Sequence, residues 1–325
     1  MVRYAVIGTS WITKSLIGAA ELAGGLSLCA VYSRTEERGK KFAAEYGVEK
    51  VYTDLSALAA DQEIDAVYIA SPNACHFEQA KILLSAKKHI LCEKPVARSG
   101  ERVQTLLRLA EENGVVFLEA IKSMFTPGAK AIGDALPLLG RISQASFVFQ
   151  QLSSRYPALL RGELPNIFNP DLEAGAVMDI GVYCLYPALR FFGAYESVAA
   201  NAKLLENGID LYGDAILHYP DQQVVLSYSK AANQAVPSQI IGDAGAILIQ
   251  KISSFDGVSL ILNDGTKKTL YQSDKENDMK YEADFFRRAI ETPEEVRGEL
   301  SRLNRLSVLS AEGLAEIRKK TKLCF

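Results

Sequence analysis

The feature that most constrains the fold is a regular alternation of short apolar runs and helical patterns over the first 119 residues. Parallel strands need helical crossovers, so this alternation predicts βαβ units and a parallel sheet. Residues 1–119 are therefore expected to form a doubly wound α/β Rossmann domain that binds a dinucleotide. The predicted strands are 2–7, 26–32, 50–52, 65–70, 89–92 and 115–118, and the predicted helices are 11–22, 36–46, 73–86 and 99–113.

After Glu119 the pattern changes to alternating runs separated by tight-turn signals such as Asn263-Asp264-Gly265. Consecutive strands joined by tight turns form antiparallel sheets. Residues 120–325 are thus predicted to form an α+β second domain with a large, mainly antiparallel open sheet. Its predicted strands are 142–152, 198–205, 211–219, 223–229, 238–241, 246–250 and 258–262, and its predicted helices are 278–290 and 302–319.

Composition excludes several classes of protein. The 325 residues are 48% hydrophobic with a net charge of −3, which does not favour binding to nucleic acid or an anionic membrane. We see no apolar run near the ~18 residues of a membrane span, and the first residues have the pattern of a strand, not a signal peptide. Five cysteines without C-x-x-C spacing and three scattered histidines argue against a disulfide framework or a metal site. These features predict a cytoplasmic protein without a metal.

The first strand–helix turn, residues 8–13 (GTSWIT), occupies the place of the dinucleotide fingerprint G-x-G-x-x-G. Only the first glycine is present. Backbone amides at a helix N-terminus nevertheless attract phosphate without needing glycine. A strand–turn–helix that binds no ligand fits the same residues. The candidate pyrophosphate-binding residues are Gly8, Thr9, Ser10, Trp11 and Ile12.

The end of the second strand usually separates NAD from NADP, because an acidic residue there binds the ribose 2′-hydroxyl. This chain has Ser33-Arg34 instead, followed by Arg38. Guanidinium groups pair well with a 2′-phosphate, and Ser33 can donate to it as well. The pattern predicts NADP as cofactor, with NAD as the alternative. A solvated helix start without a ligand is also consistent with these charges.

Two further motifs follow later strands of the first domain. Ser71-Pro72-Asn73 with His76 lies where the nicotinamide half would run, although Asn73 could simply cap a helix. Glu93-Lys94-Pro95 places a lysine at the carboxyl end of a parallel strand, the edge at which such sheets bind ligands. Proline restricts the backbone of the lysine before it. Alone, the tripeptide is equally consistent with a solvated lysine at a turn.

In the second domain, a long irregular stretch over residues 153–173 is assigned to the substrate pocket. It runs into a helix that carries Asp179 and Tyr183, which are four residues apart and therefore share one face. An acid and a phenol so placed can act as a proton-transfer pair. Capping by the aspartate and packing by the tyrosine would explain them equally well. The candidate substrate-binding residues are Lys94, Lys122, Arg155, Asn169, Asp179 and Tyr183.

The order of these motifs along the chain resembles the glucose–fructose oxidoreductase/inositol dehydrogenase/MocA family. The resemblance implies that Lys94 lies beside the nicotinamide and the substrate hydroxyl, and that Asp179 and Tyr183 complete the catalytic site. A tyrosine at this place is similar to the dimeric dihydrodiol dehydrogenase branch, whereas inositol dehydrogenases have histidine. The resemblance also implies a homodimer or homotetramer formed through the second-domain sheet. The chain departs from the family pattern at Ser10, Thr13, Met124 (with Lys122 nearby) and Glu173-Ala174.

Together these observations predict an NADP(H)-dependent enzyme that transfers hydride to or from a secondary alcohol or carbonyl of a sugar, cyclitol or small diol. Tyr183 is the expected general acid/base, Lys94 the source of positive charge, and Asp179 the orienting group. Glu93 completes the candidate cofactor-binding set. Two alternatives are a non-catalytic NADP-binding regulator and a sugar–sugar oxidoreductase that keeps its nucleotide bound. Retention of Lys94, Asp179 and Tyr183 favours an enzyme.

Overall fold

The computed structural model describes all 325 residues, which form fourteen strands and ten α-helices. The strands are β1 Val2–Ile7, β2 Leu26–Tyr32, β3 Lys50–Tyr52, β4 Ala66–Ile69, β5 His89–Glu93, β6 Phe117–Ala120, β7 Ile142–Gln150, β8 Ser197–Leu204, β9 Asp210–His218, β10 Gln223–Ser229, β11 Ser238–Gly242, β12 Gly245–Lys251, β13 Asp256–Leu262 and β14 Lys267–Tyr271. The helices are α1 Trp11–Ala23, α2 Glu36–Ala44, α3 Leu55–Ala60, α4 Asn73–Ser85, α5 Gly100–Asn113, α6 Pro127–Ala135, α7 Tyr156–Leu160, α8 Val182–Phe192, α9 Lys280–Glu291 and α10 Pro293–Thr321.

The chain divides into two compact units. The first contains Met1–Ile121 and Asn277–Val308, and the second contains Lys122–Glu276 and Leu309–Phe325. Residues 277–308 therefore group with the first unit, although the sequence pattern placed all of 120–325 in the second domain. The reason is the amphipathic face of α9, whose Phe285 and Phe286 are buried as the helix packs on α1.

The first unit has a six-stranded parallel sheet in the order β3-β2-β1-β4-β5-β6. The strand order reverses between β1 and β4, so the carboxyl ends of these strands border the crevice in which such sheets bind nucleotides. The predicted Rossmann architecture is confirmed. The last strand begins two residues later than predicted, because the Val115 N–H donates to Ala110 O (2.9 Å) and completes the end of α5.

The second unit has an eight-stranded sheet in the order β14-β13-β12-β11-β7-β10-β9-β8. All neighbours are antiparallel except β7 and β10, which are parallel, so the prediction of a mainly antiparallel sheet is confirmed. The sequence pattern missed α6 and β14, which pack against each other.

The two faces of this sheet differ in polarity. One cross-strand row is entirely buried, and α8 packs on the same sheet through β7 and β10; the row comprises Leu260, Ile247, Ile240, Ala145, Val224, Leu217 and Val198. The next row faces the opposite side, and none of its members is buried; it comprises Thr269, Ser259, Leu248, Gln239, Ser146, Val225, Ile216 and Ala199.

The helical stretch Pro170–Phe192 has the length and hydropathy of a membrane span, with a mean hydropathy of 1.2. The expectation that no uninterrupted apolar run would approach 18 residues holds here, because Asp171, Glu173, Asp179 and Arg190 interrupt this stretch. Moreover, 78% of the window is buried inside the protein, which is typical of a core helix.

Candidate active site

The turn between β1 and α1 requires its one glycine. Gly8 has φ +103°, and a Cβ there would lie 2.5 Å from the Ala70 carbonyl oxygen. This turn is thus pressed against the end of β4 at the reversal of strand order. Gly8 is required by the fold whether or not a nucleotide binds.

The start of α1 fits an anion. Ser10 is the N-cap residue, but its side chain makes no capping hydrogen bond, and the first turn contains no acidic residue. The first amides of the helix therefore lack a side-chain acceptor, and these are the groups that bind phosphate. Trp11 is 76% exposed and Thr13 is fully buried, so Thr13 packs inward in the place of the third motif glycine.

At the carboxyl end of β2, the three candidate 2′-phosphate residues differ in exposure. Ser33 is buried, and its N–H donates to Tyr52 O (3.0 Å). Arg34 and Arg38 are exposed, and Arg38 Nε donates to Thr9 Oγ1 (2.6 Å). The arginines offer positive charge at this edge, and Arg38 joins it to the dinucleotide turn.

The turn after β5 is held by two buried carboxylates. The Lys94 N–H donates to Glu93 Oε2 (3.3 Å), and the Val96 N–H donates to Glu119 Oε1 (3.0 Å). The other Glu93 oxygen accepts the hydroxyl of buried Tyr68 (2.5 Å). Glu93, predicted to bind the cofactor, thus anchors the backbone of the lysine turn, and Glu119 is an anchor that sequence analysis did not assign.

The third anchor of this turn is His76. Its ring is buried, with Nδ1 3.0 Å from Pro95 O and Nε2 2.8 Å from Ser71 O, so it joins two candidate motifs. Burial lowers the pKa of His76, and a neutral ring donates to only one carbonyl at a time. The Lys94–Pro95 peptide bond is cis.

Asn73 lies at the start of α4, where a helix cap was one expectation. Asn73 is the first residue of α4, and the N-cap position belongs to Pro72. Beside them, the Ser71 hydroxyl donates to Gln79 Oε1 (2.6 Å). Pro72 and Asn73 are partly exposed where the nicotinamide half of a cofactor is expected.

In the second unit, Asp179 and Tyr183 differ from the residues around them in solvent exposure. From residue 174 to residue 189 they are the only two that are not buried. Asp179 lies in a π-helical turn, Val177–Gly181, and Tyr183 lies in the first turn of α8, where its ring packs edge-on against Phe149 with a centroid distance of 5.6 Å. π-Helical turns are frequent at functional sites. The predicted helix over 174–192 therefore presents this acid and this phenol on a partly exposed surface.

Sequence analysis missed two charged residues beside this helix. Asp210 is fully buried and caps the helix by accepting the N–H groups of Ala176 (2.9 Å) and Val177 (2.7 Å). Lys230 Nζ donates to Asp179 Oδ2 (2.5 Å). Capping therefore belongs to Asp210, not to Asp179. Only a weak sequence signal marks these two residues. Asp210 is an acid between two apolar residues at the start of β9, and Lys230 is a lysine directly after the end of β10.

The remaining substrate-binding candidates, Arg155, Asn169 and Lys122, lie outside the helix of Asp179 and Tyr183. Arg155 is exposed at the start of α7, Asn169 caps a 3₁₀ turn by accepting the Asp171 N–H (3.0 Å), and Lys122 begins the 3₁₀ turn Lys122–Met124. Phe168 anchors the stretch 153–173 in a small apolar cluster.

Comparison with known proteins identifies the family. Residues 2–120 match the family described as "Oxidoreductase family, NAD-binding Rossmann fold", and residues 138–248 match the "GFO/IDH/MocA C-terminal domain". The chain belongs to the Gfo/Idh/MocA family of oxidoreductases. It is therefore a member of an enzyme family, and its first domain is an NAD-binding Rossmann fold, as the order of the motifs predicted.

Two curated relatives show how closely the chain follows other Gfo/Idh/MocA members. It is 40% identical over 325 residues to the uncharacterized oxidoreductase YgjR of Escherichia coli, covering 100% of this chain and 98% of the relative. It is also 40% identical over 286 residues to scyllo-inositol 2-dehydrogenase (NADP(+)) IolU of Bacillus subtilis, covering 88% and 87%.

A solved structure shares the whole fold. The 3-ketoreductase KijD10 from Actinomadura kijaniata, in complex with NADP and TDP-benzene, superposes with a TM-score of 0.84 at 22% identity, covering 98% of both chains. At this identity the likeness concerns the fold alone.

Proposed function

We propose that this Gfo/Idh/MocA member is an NADP(H)-dependent dehydrogenase acting on a secondary hydroxyl or carbonyl of a cyclitol, sugar or small diol. The observation that carries the proposal is the selective exposure of Asp179 and Tyr183 within the otherwise buried stretch 174–189. The 40% identity to an NADP-dependent scyllo-inositol dehydrogenase supports a polyol substrate and puts a cyclitol first.

Each of the three candidate catalytic residues has a distinct task in this proposal. Tyr183 takes up or gives the proton of the substrate hydroxyl as general acid/base. Lys94 supplies positive charge that lowers the pKa of the hydroxyl that loses its proton. Asp179, held by Lys230, accepts a hydrogen bond from a second substrate hydroxyl and orients it. The nicotinamide, when bound, supplies or accepts the hydride.

Arg34 and Arg38 give the cofactor preference in this proposal. They are exposed at the end of β2, where the two positions directly after the strand are Ser33 and Arg34 and the first acidic residues, Glu36 and Glu37, follow only in α2. Trp11 is the single tryptophan and lies at the dinucleotide turn, so its fluorescence should be quenched when a dihydronicotinamide nucleotide binds. Titration with NADPH and NADH should give a lower Kd for NADPH.

Variants of the two arginines make this test specific. Arg34→Ala and Arg38→Ala should weaken NADPH binding and leave NADH binding nearly unchanged, because only NADPH carries the 2′-phosphate. Arg98→Ala, in the same unit but away from β2, serves as the control. Equal Kd values for the two nucleotides in the unaltered protein would refute the NADP preference.

The reaction is tested by following absorbance at the dihydronicotinamide band with NADP and scyllo-inositol, D-xylose or a cyclic trans-diol. Reduction of NADP with at least one of them, abolished by Tyr183→Phe, is the expected result. Nucleotide binding without turnover of any polyol would favour the regulator. A nucleotide that remains bound through purification and is reduced by one sugar and reoxidised by another would favour the sugar–sugar oxidoreductase.

We further propose that the open face of the second-unit sheet joins two copies of the chain into a homodimer, or two such pairs into a tetramer. Three partly exposed aliphatic side chains, Leu248, Val225 and Ile216, lie along its central row. Light scattering on a sizing column should show an oligomer that Ile216→Asp dissociates. Ile82→Asp, an exposed site on α4, is the control. A monomer at micromolar concentration would contradict the proposal.

A further inference from the structure

Two charges hold the π-helical turn Val177–Gly181 at different points. At its start, the Asp210 carboxylate accepts two consecutive backbone N–H groups, one on each oxygen, from Ala176 (2.9 Å) and Val177 (2.7 Å). These belong to the first amides of the helix, which no intrahelical carbonyl can satisfy. Asp210 therefore fixes both the position and the direction of the helix start.

The second charge acts on a side chain. Lys230 is buried except for 7% of its surface, and its ammonium bonds to Asp179 Oδ2 (2.5 Å) within the π turn. Asp179 is 30% exposed at its side chain, so the pair lies with its lysine inside and its carboxylate reaching outward. A partly buried charged pair fixes a rotamer more firmly than a surface pair does.

Both charges come from one place in the sheet. The Lys230 N–H donates to Leu211 O (2.9 Å), so Lys230 and the residue after Asp210 are joined where β9 and β10 meet. Gly175 allows this approach: a Cβ there would lie 2.2 Å from Asp210 Oδ1, and its φ is +115°. The Lys230 carbonyl also accepts the Ser153 N–H (2.9 Å), which ties the start of the stretch 153–173 to the same point.

We propose that Asp210 and Lys230 form a two-point clamp that positions Asp179 and Tyr183 for turnover. The clamp residues are positioning residues: Asp210 acts through the backbone of the helix, and Lys230 acts through the carboxylate of Asp179. The inference deepens the proposed function and rests on it for the role of Asp179 and Tyr183. A purely structural pair would instead stabilise the unit without setting the rate of the reaction.

The first arm of the test needs no substrate. Hydrogen exchange followed by mass spectrometry is measured on the full-length variants Asp210→Asn and Lys230→Met, with the exposed sites Asp221→Asn and Lys251→Met as matched controls. Asparagine has one acceptor oxygen and an NH₂ group that cannot accept, so one helix amide loses its bond. Exchange should become faster in peptides covering residues 174–183, with the strands of the sheet unchanged. Unchanged exchange there would overturn the clamp.

The second arm measures turnover with scyllo-inositol and NADP, or with whichever polyol the unaltered enzyme oxidises. Misplacement of a catalytic group by about 1 Å costs about 10²-fold, so Asp210→Asn and Lys230→Met should lower kcat by about that factor with KM for NADP unchanged. Lys230→Arg, which keeps the charge, should recover most of the loss. Loss of kcat in proportion to a lost fraction of NADPH-binding sites would overturn the positioning role.

The two arms separate the possible failures. If the unaltered protein oxidises no polyol, the proposed function fails while the exchange data still decide whether the clamp exists. If it does oxidise a polyol and both variants keep full kcat, the clamp fails and the proposed function stands. If Asp210→Asn does not fold, hydrogen exchange and turnover are both measured on Lys230→Met and Lys230→Arg alone.

Discussion

The two units present their candidate catalytic residues in different ways. In the first unit, the backbone around Lys94 is bonded to the buried side chains of Glu93, His76 and Glu119. In the second, the structure holds the Asp179 side chain itself through Lys230, and Asp210 holds only the backbone that precedes it. One unit fixes the path of the chain, and the other fixes an individual carboxylate.

This difference predicts which substitutions should lower stability and which should lower turnover. Anchors of the Lys94 turn are buried and bonded to backbone groups, so losing one leaves a backbone donor or acceptor unsatisfied and costs stability. Lys230, Asp179 and Tyr183 instead act through side chains at a partly exposed surface, so losing one of these three should cost mainly turnover. Four predictions test this contrast.

The largest effects are expected on turnover, at Lys94 and at Tyr183; Lys94 is the partly buried lysine of the rigid turn. Lys94→Met removes the positive charge, and loss of one electrostatic contact to the developing oxyanion typically costs ~10²–10³-fold in kcat. Steady-state kinetics should show this loss with the Trp11-detected Kd for NADPH little changed. Lys81→Met, on the surface of α4, should behave as the unaltered enzyme. Retained kcat would remove Lys94 from the reaction.

Tyr183→Phe should act on turnover alone. The ring still packs on Phe149, but the proton route is lost, and general acid/base catalysis is typically worth ~10²–10⁴-fold. We therefore expect a large fall in kcat with an unchanged unfolding midpoint. Tyr212→Phe, an exposed tyrosine on β9, is the control. A fall in stability as large as the fall in activity would mean that the hydroxyl is structural.

Glu119→Leu should act on stability, since it leaves the buried Val96 N–H without its acceptor. An unsatisfied buried group costs about 1–3 kcal/mol of unfolding free energy. Glu119→Gln keeps an acceptor oxygen and should cost less. Urea denaturation of both variants measures the difference. If leucine and glutamine give equal stabilities, the Val96 bond does not hold the turn.

The smallest effects concern pH, where the two units should respond in opposite directions. Burial lowers the pKa of His76 below its ordinary 6.5, so the unfolded chain binds the proton more readily and the folded state loses stability as the pH falls below about 6.5. Burial raises the pKa of Asp210 from 3.8 to about 6, so the folded state binds its proton first and gains stability as the pH falls through that range.

Unfolding free energies measured across this pH range check both signs. His76→Gln should lose less stability on acidification than the unaltered protein, and Asp210→Asn should gain less. Either variant with an unaltered pH slope would show that its residue does not titrate as burial predicts.

Local patterns were enough to predict most elements of both sheets. The βαβ alternation and the turn signals predicted these strands within a few residues, because each strand is a contiguous segment with its own apolar or alternating pattern. The elements that were missed, α6 and β14, depend on packing between segments distant in the chain, whereas the start of β6 is displaced by a local bond at the end of α5. Residues 277–308 likewise join the first unit through packing on α1, which no local signal records.

The candidate site residues also divide into those that the sequence indicated and those that only the tertiary structure showed. By itself the sequence determined the Rossmann fold and the family, and it indicated Lys94, Asp179 and Tyr183 as candidates, because these follow from short motifs in a fixed order. Only the tertiary structure showed that Glu119 and His76 anchor the lysine turn, and that Asp210 and Lys230 hold the helix of Asp179. A buried polar or charged group must be hydrogen-bonded, and the partner of each of these four residues lies 19 to 51 residues away along the chain.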